Sequence, residues 1–285
     1  MLGANIVKYL NHKYDIYFTD KTNFKDGYDK KFIPLNLLDK SYENIFKKIA
    51  PDVIIHCGAI TDVDFCEKNK MKAYGVNALS VRKFLRFFPN SRLIHISSDA
   101  VFSDHLHLAT EKEETEPLNT YGLSKLLGEN EIKIHGAPHL SIRTTLVGLN
   151  INPKKQSFIE WVITSIKGGK NINLFNDVLF TPISVYDFIQ ELDWIINNHL
   201  SGIIHLSGDD VVSKFDFGRK ICDNLNLNSS LIMSKPFDKT LFNASRSKDQ
   251  TLDSSFYKMV SIRKLPTLKD TVLSICNEYL EKQYE

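Results

Sequence analysis

A chain of 285 residues with 42% hydrophobic and 25% charged side chains has the length and composition for one large α/β domain or two small ones. Its 36 basic and 34 acidic residues leave a formal net charge of +2, which gives no electrostatic case for nucleic acid or an anionic membrane surface. No apolar run approaches the ~20 residues of a membrane span, and the opening Met-Leu-Gly-Ala-Asn has no signal-peptide pattern.

Leu2, Ile6, Val7 and Leu10 recur near helical spacing and predict a first helix. Residues 16–18 read as a short strand closed by Thr19 and Asp20. A polar loop over 21–31, a short strand over 32–38 and a helix over 42–49 follow. Val53-Ile-Ile-His-Cys57 is a compact β-branched run, the pattern of a strand buried on both faces. A helix over 71–88, a strand over 93–96, a helix over 121–134 and a strand over 140–143 continue the alternation. Such alternation predicts a parallel sheet with helices on both faces. Beyond residue 150 the pattern loosens, with helices over 158–167, 185–198 and 214–225 and a strand over 202–206. Residues 1–150 are thus expected to form the main α/β unit. Residues 151–285 are expected mainly to form a smaller lobe facing it across a cleft, with ligands at the carboxyl ends of the strands. Cys57, Cys66, Cys222 and Cys276 match neither a Cys-x-x-Cys pair nor a zinc spacing. Reduced cysteines, no metal and a cytoplasmic setting are expected. The remaining partners are a small molecule or a second copy of the chain, a homodimer.

The chemistry is carried by a strand ending in Ser97-Ser98-Asp99, followed 23 residues after Ser98 by Tyr121-Gly-Leu-Ser-Lys125. Tyrosine and lysine at i and i+4 share one helical face. A free phenol, with a pKa near 10, is a poor proton shuttle at neutrality, and a nearby ammonium lowers that value. A serine hydroxyl from the adjacent strand end would hold a substrate carbonyl. Tyr9 with Lys13 and Tyr17 with Lys21 share the spacing, but neither follows a strand ending in Ser-Ser.

With these residues the chain resembles the extended short-chain dehydrogenase/reductase superfamily, and within it the dTDP-4-dehydrorhamnose reductase-like (RmlD-like) branch. The stretches 51–64, 76–78, 141–148, 180–187, 205–208 and 244–253 agree in order along nearly the whole chain. The resemblance implies a Rossmann-type doubly wound parallel sheet with a smaller C-terminal substrate-binding lobe. It also implies hydride transfer from NADH or NADPH to a keto group on a nucleotide-linked sugar. Tyr121 would then donate the proton, Lys125 would tune it and bind the nicotinamide ribose, and Ser98 would orient the carbonyl. Asp99 would touch the sugar, Gly58, Ala59 and Ile60 would let the dinucleotide pass the backbone, and Asn77 would support the active-site helix. Asp20 would accept from the adenosine ribose 2′-hydroxyl, favouring NADH because a carboxylate repels a 2′-phosphate, with Lys21 tempering the preference. Asn36 and Leu37 fall where the family contacts adenine, although an acid usually stands at the first. Leu146 and Arg246 are implied at the substrate. Relatives carry aromatic side chains where this chain has Ala100 and Leu146, so a larger pocket without sugar stacking is expected, and the base and sugar need not be dTDP and rhamnose.

The family opens with an apolar strand and a Gly-x-x-Gly-x-x-Gly turn. Here Gly3 matches only the third glycine, so the first strand and most of the turn are expected to be missing through a start assigned about ten residues late. Without that strand, the 285-residue form by itself is expected to be insoluble or partly unfolded, because its neighbours in the sheet would lose hydrogen-bond partners. Two alternatives stay open: a non-catalytic dinucleotide-binding regulatory subunit, as one relative is for a methionine adenosyltransferase, and a sugar-nucleotide epimerase or dehydratase.

Overall fold

In the computed structural model, residues 1–21, 31–39, 49–152 and 155–282 are described. The helix expected over 42–49 lies almost wholly outside them. The first helix, α1 (Leu2–Leu10), buries Leu2, Ile6, Val7 and Leu10 as the spacing requires. The short parallel pair β1 (Phe18–Asp20) and β2 (Phe32–Pro34) follows. Next come β3 (Val53–His56), α2 (Val63–Lys68) and α3 (Lys70–Tyr74), which runs through a π-helical segment (Gly75–Leu79) into α4 (Ser80–Phe87). β4 (Arg92–Ile96), α5 (Thr120–His135) and β5 (Leu140–Arg143) complete the regular alternation.

β3, β4 and β5 pair in parallel, and β10 (Gly202–His205) joins at β5, so a strand from the second half of the chain completes the main sheet. β4 and β5 are buried at every position, as parallel strands covered on both faces must be. β3 departs from that expectation. Val53, Ile54 and Ile55 are only partly buried, because β3 ends this sheet and β1–β2 form a separate pair among the described residues. Among the described residues the β1–β2 pair is not joined to β3.

The second lobe contains β6 (Leu146–Val147), α6 (Phe158–Lys167), β7 (Ile172–Phe175), β8 (Leu179–Phe180) and β9 (Ile183–Ser184). It continues with α7 (Val185–Asn197), β11 (Val212–Ser213), α8 (Lys214–Asn224) and β12 (Ile232–Lys235). β13 (Asp249–Gln250), α9 (Ser255–Ser261) and α10 (Leu268–Glu281) close it. Its strands form small sheets, β11–β8–β13, β12–β7 and β6–β9, of two to four residues each, too short for a periodicity signal. One apolar core joins α1, the main sheet and α7, and another lies between β8, α8 and α10. Arg92, buried at the start of β4, donates to the carbonyls of Ile195, Ile196 and Leu200 and so caps the C-terminal end of α7.

Four histidines are buried in this frame, His56, His95, His139 and His205. His56 Nε2 meets Ser80 Oγ at 2.8 Å, His95 Nδ1 meets His56 Nδ1 at 3.3 Å, and His205 stacks edge-on against Phe102. Burial holds His56 and His205 down to about 3 and His95 well below its ordinary value. The unfolded chain therefore takes up protons below about pH 6.5 that the folded chain refuses, and stability is lost as pH falls from there. Thermal melts should show a falling midpoint between pH 7 and about 5, before most unfolded-state carboxylates titrate. A flat profile over that window would mean that these rings are not buried neutral.

Candidate active site

Ser98 leaves the end of β4 and caps a single 3₁₀ turn (Asp99–Val101). Its hydroxyl accepts from Ala100 N–H at 3.2 Å and donates to Asp99 Oδ1 at 2.7 Å. α5 starts beside it because Asn119, the N-cap, accepts from Gly122 N–H at 2.9 Å, while Thr120 N–H donates to Glu67 Oε2. Tyr121 is therefore in the first turn and Lys125 one turn further on the same face. The Ser98 hydroxyl works against the rise in the pKa of the Tyr121 phenol. Lys125, buried, donates to the Ile96 carbonyl at 2.6 Å. The structure thus brings Ser98, Tyr121 and Lys125 to the carboxyl end of one strand.

Gly122 makes this approach possible. A Cβ there would stand 2.0 Å from the Ala100 carbonyl oxygen. Gly128 does the same deeper in the helix, where a Cβ would meet Asn77 O and His95 Nε2 at 2.8 Å each. Asn77, on the π-helical segment, accepts from Ile60 N–H and donates to both Ile60 O and Ser124 Oγ. It thereby ties the loop after β3 to the helix carrying Tyr121, and π-helical turns are frequent at such sites.

The electrostatics differ from the spacing-based expectation. Burial pushes the Tyr121 phenol up to about 12, only partly opposed by the Ser98 hydrogen bond. Lys125 does not pull it toward neutrality in this state, since its ammonium is turned onto the Ile96 carbonyl. Burial lowers Lys125 to about 8 against the favourable charge of Glu129. Burial likewise raises Asp99, against its bond from Ser98 and the charge of Lys214.

The residues expected at the dinucleotide gather along the ends of β1, β2 and β3. Asp20 is exposed at the end of β1 and accepts from Lys21 N–H. Asn36 closes a turn by accepting from Leu38 N–H and donating to Asp39. Leu37 packs on Gly58, where a Cβ would come within 2.6 Å of its Cδ1. Gly3 sits in the first turn of α1, 3.8 Å from Cys57 Cβ at its own Cβ position, a close helix-to-strand packing. Gly58, Ala59 and Ile60 run between this edge and Asn77. An exposed carboxylate, bare glycine backbone and a helix N-terminus without acidic residues in one row fit a dinucleotide.

On the substrate side, Leu146 is partly buried in β6, paired with Ile183. Arg246 is engaged elsewhere: its Nη2 donates to Asp64 Oδ2 at 2.9 Å and its guanidinium lies 4.3 Å over the Phe242 ring. A cavity of about 330 Å³ behind the start of α5, lined by Glu67, Lys70, Asn119 and Thr120 among others, contains none of the three catalytic candidates.

The Glu129–Arg143 pair and the two close glycines were not foreseen as site residues. Glu129 follows Lys125 by four positions on the same helical face, a signal that could have been read.

The sequence profile of the RmlD substrate binding domain matches residues 1–281. The chain belongs to this family. It is 28% identical over 229 residues to a probable low-salt glycan biosynthesis reductase of Haloferax volcanii, covering 79% of this chain and 76% of the relative. It is 24% identical over 246 residues to the methionine adenosyltransferase 2 subunit beta of Danio rerio, covering 83% and 76%. A crystal structure of dTDP-4-dehydrorhamnose reductase from Bacillus anthracis in complex with NADP superposes with a TM-score of 0.85 at 25% identity, covering 97% and 95%. The fold is therefore Rossmann-type, as expected.

Gly122→Ala should force the Ser98 turn away from α5. A displacement of about 1 Å can cost on the order of 100-fold in rate, so a loss of that order is expected with dinucleotide affinity nearly unchanged. Wild-type turnover in the alanine variant would remove the close approach from the account.

Proposed function

We propose that this protein is an NAD(P)-dependent oxidoreductase that reduces a keto group on a nucleotide-linked sugar. The observation that carries the reading is the convergence of Ser98, Tyr121 and Lys125 at the end of β4, within a fold whose relatives include sugar-nucleotide reductases. The dinucleotide would lie along Gly3, Asp20, Asn36, Leu37 and Gly58–Ile60, on residues 1–150. The sugar nucleotide would enter from the side of residues 151–285.

A bound nicotinamide dinucleotide supplies the hydride. The chain supplies the proton and the geometry. Ser98 Oγ holds the keto oxygen next to Tyr121 Oη. A phenol at about 12 is fully protonated at neutral pH, so Tyr121 enters the reaction as the acid and gives its proton to that oxygen. The phenolate left behind is supported by the Ser98 hydroxyl and by the Lys125 ammonium, which at about 8 is still mostly charged at neutrality. Lys125 Nζ would reach both the phenolate and the nicotinamide ribose by leaving the Ile96 carbonyl.

The regulatory alternative is supported only weakly, since a non-catalytic subunit has no need of all three groups at one strand end. A cytoplasmic setting is part of the proposal. Self-association as a homodimer is part of the proposal and would show in light scattering.

Tyr121→Phe removes the proton donor and leaves the ring. We expect turnover with keto-sugar nucleotides to fall at least 100-fold, within the range assigned to general acid catalysis, with dinucleotide affinity retained. Retained turnover would sink the reading. For the cofactor we propose NADH over NADPH, because the exposed Asp20 carboxylate would face a 2′-phosphate. Asp20→Ala should then lower KM for NADPH relative to NADH, whereas an unchanged ratio would take Asp20 out of the adenosine-ribose site.

A further inference from the structure

β2 leads into a turn over residues 36–39, and that turn is tied to a helix. Lys83, on α4, donates from its ammonium to Asp39 O at 2.7 Å and to Leu37 O at 3.3 Å. Inside the turn, Asp39 N–H donates to Asn36 O at 2.9 Å, Leu38 N–H to Asn36 Oδ1 at 3.2 Å, and Asn36 Nδ2 to Asp39 Oδ1 at 3.0 Å. Leu35 N–H, at the head of the turn, donates to Asp20 O at 2.9 Å, so the end of β1 is fixed with it. Leu35 is buried in one cluster with Val81, Phe84 and Leu85 of α4, and Leu37 packs against that cluster. Leu37 also lies over Gly58, and Leu38 lies over Gly75, where a Cβ would come within 2.6 Å of its Cδ2.

Gly75, Asn77 and Lys83 belong to one unbroken helical run, residues 70–87. Asn77 holds both backbone groups of Ile60, in the loop after β3. Lys83 holds the turn after β2. The run therefore grips both parts of the edge along which the dinucleotide would lie: Gly58–Ile60 toward Tyr121, and Asp20, Asn36 and Leu37 at the adenosine end. Leu38 and Asp39 are exposed. Without the ammonium, the Leu37 and Asp39 carbonyls would turn to water, and a ligand would have to order the turn on binding, at a cost in affinity.

We infer that Lys83 is a positioning residue for the adenosine half of the dinucleotide, holding the 36–39 turn and the adjoining end of β1 in the shape that receives it. The inference rests on the dinucleotide placement proposed above and adds to it a residue that acts through the turn, not on the reacting atoms.

Calorimetric titration of NADH, and of ADP-ribose as the part without nicotinamide, into wild type, Lys83→Met and Lys83→Arg tests it, with steady-state kinetics and thermal melts of each. Methionine keeps an apolar stem and removes the donors. Lys83→Met should weaken NADH and ADP-ribose binding alike by about tenfold, the scale of one charged hydrogen bond. KM for NADH should rise with it, while kcat at saturating NADH and KM for the keto-sugar nucleotide stay at wild-type values. The arginine variant should recover most of the affinity. Wild-type NADH affinity in Lys83→Met overturns the proposal. So does weakened NADH binding with ADP-ribose unaffected, which moves the effect to the nicotinamide half. A joint fall in kcat and melting midpoint marks a general structural role and overturns it as well. If wild type binds NADH but reduces no keto-sugar nucleotide, the proposed reaction fails while the two titrations still decide the role of Lys83. If wild type binds neither ligand, the dinucleotide placement falls and this inference with it.

Discussion

Glu129 and Arg143 meet inside the protein, both almost inaccessible, with Nη2 2.7 Å from Oε2 and Nε 3.0 Å from Oε1. Glu129 belongs to α5 and Arg143 to the end of β5, so the pair bolts the helix carrying Tyr121 and Lys125 across the carboxyl ends of the main sheet. Ser97, beside Ser98, donates to the same carboxylate, and His205 at the end of β10 meets Arg143 Nη1 at 3.3 Å. Two parallel N–H···O bonds fix an angle as well as a distance. Removing one partner of such a buried pair typically costs about 3–5 kcal/mol because the other charge is stranded. The pair is thus a weak source of net stability and a strong constraint on alignment, and alignment is what the site needs.

Close packing acts on the same helix. Gly122 and Gly128 let α5 press against the Ser98 turn and against the π-helical segment, and Asn77 joins that segment to the loop after β3. Catalytic and dinucleotide-edge residues are therefore held by one connected set of contacts.

The elements legible in the sequence are the long ones. The helices over 158–167, 185–198 and 214–225 and the strands over 93–96 and 140–143 lie within one or two residues of their observed bounds. Their apolar residues repeat over several turns or run without interruption into a doubly covered sheet. The first strand is displaced, read at 16–18 and found at Phe18–Asp20. β2 is shorter than its apolar run, because an isolated two-strand pair buries little and so leaves a weak pattern. The two-residue strands of the second lobe have no pattern at all. They exist because β8 is clamped between β11 and β13, which are distant in sequence.

The sequence by itself determined the chemistry class, through Ser98, Tyr121 and Lys125, because a strand end and one helical face are local objects whose spacing survives in one dimension. It also determined the parallel sheet with helices on both faces, although β3, the strand whose run reads as doubly covered, is only partly buried. Only the tertiary structure decided the charge states and the anchors. Burial sets Tyr121 near 12 and Lys125 near 8, and burial is a property of everything packed around a group. Arg246 turned to Asp64 across more than a hundred residues of chain, because long-range contacts are fixed by the folding of the two lobes against each other and leave no periodic mark.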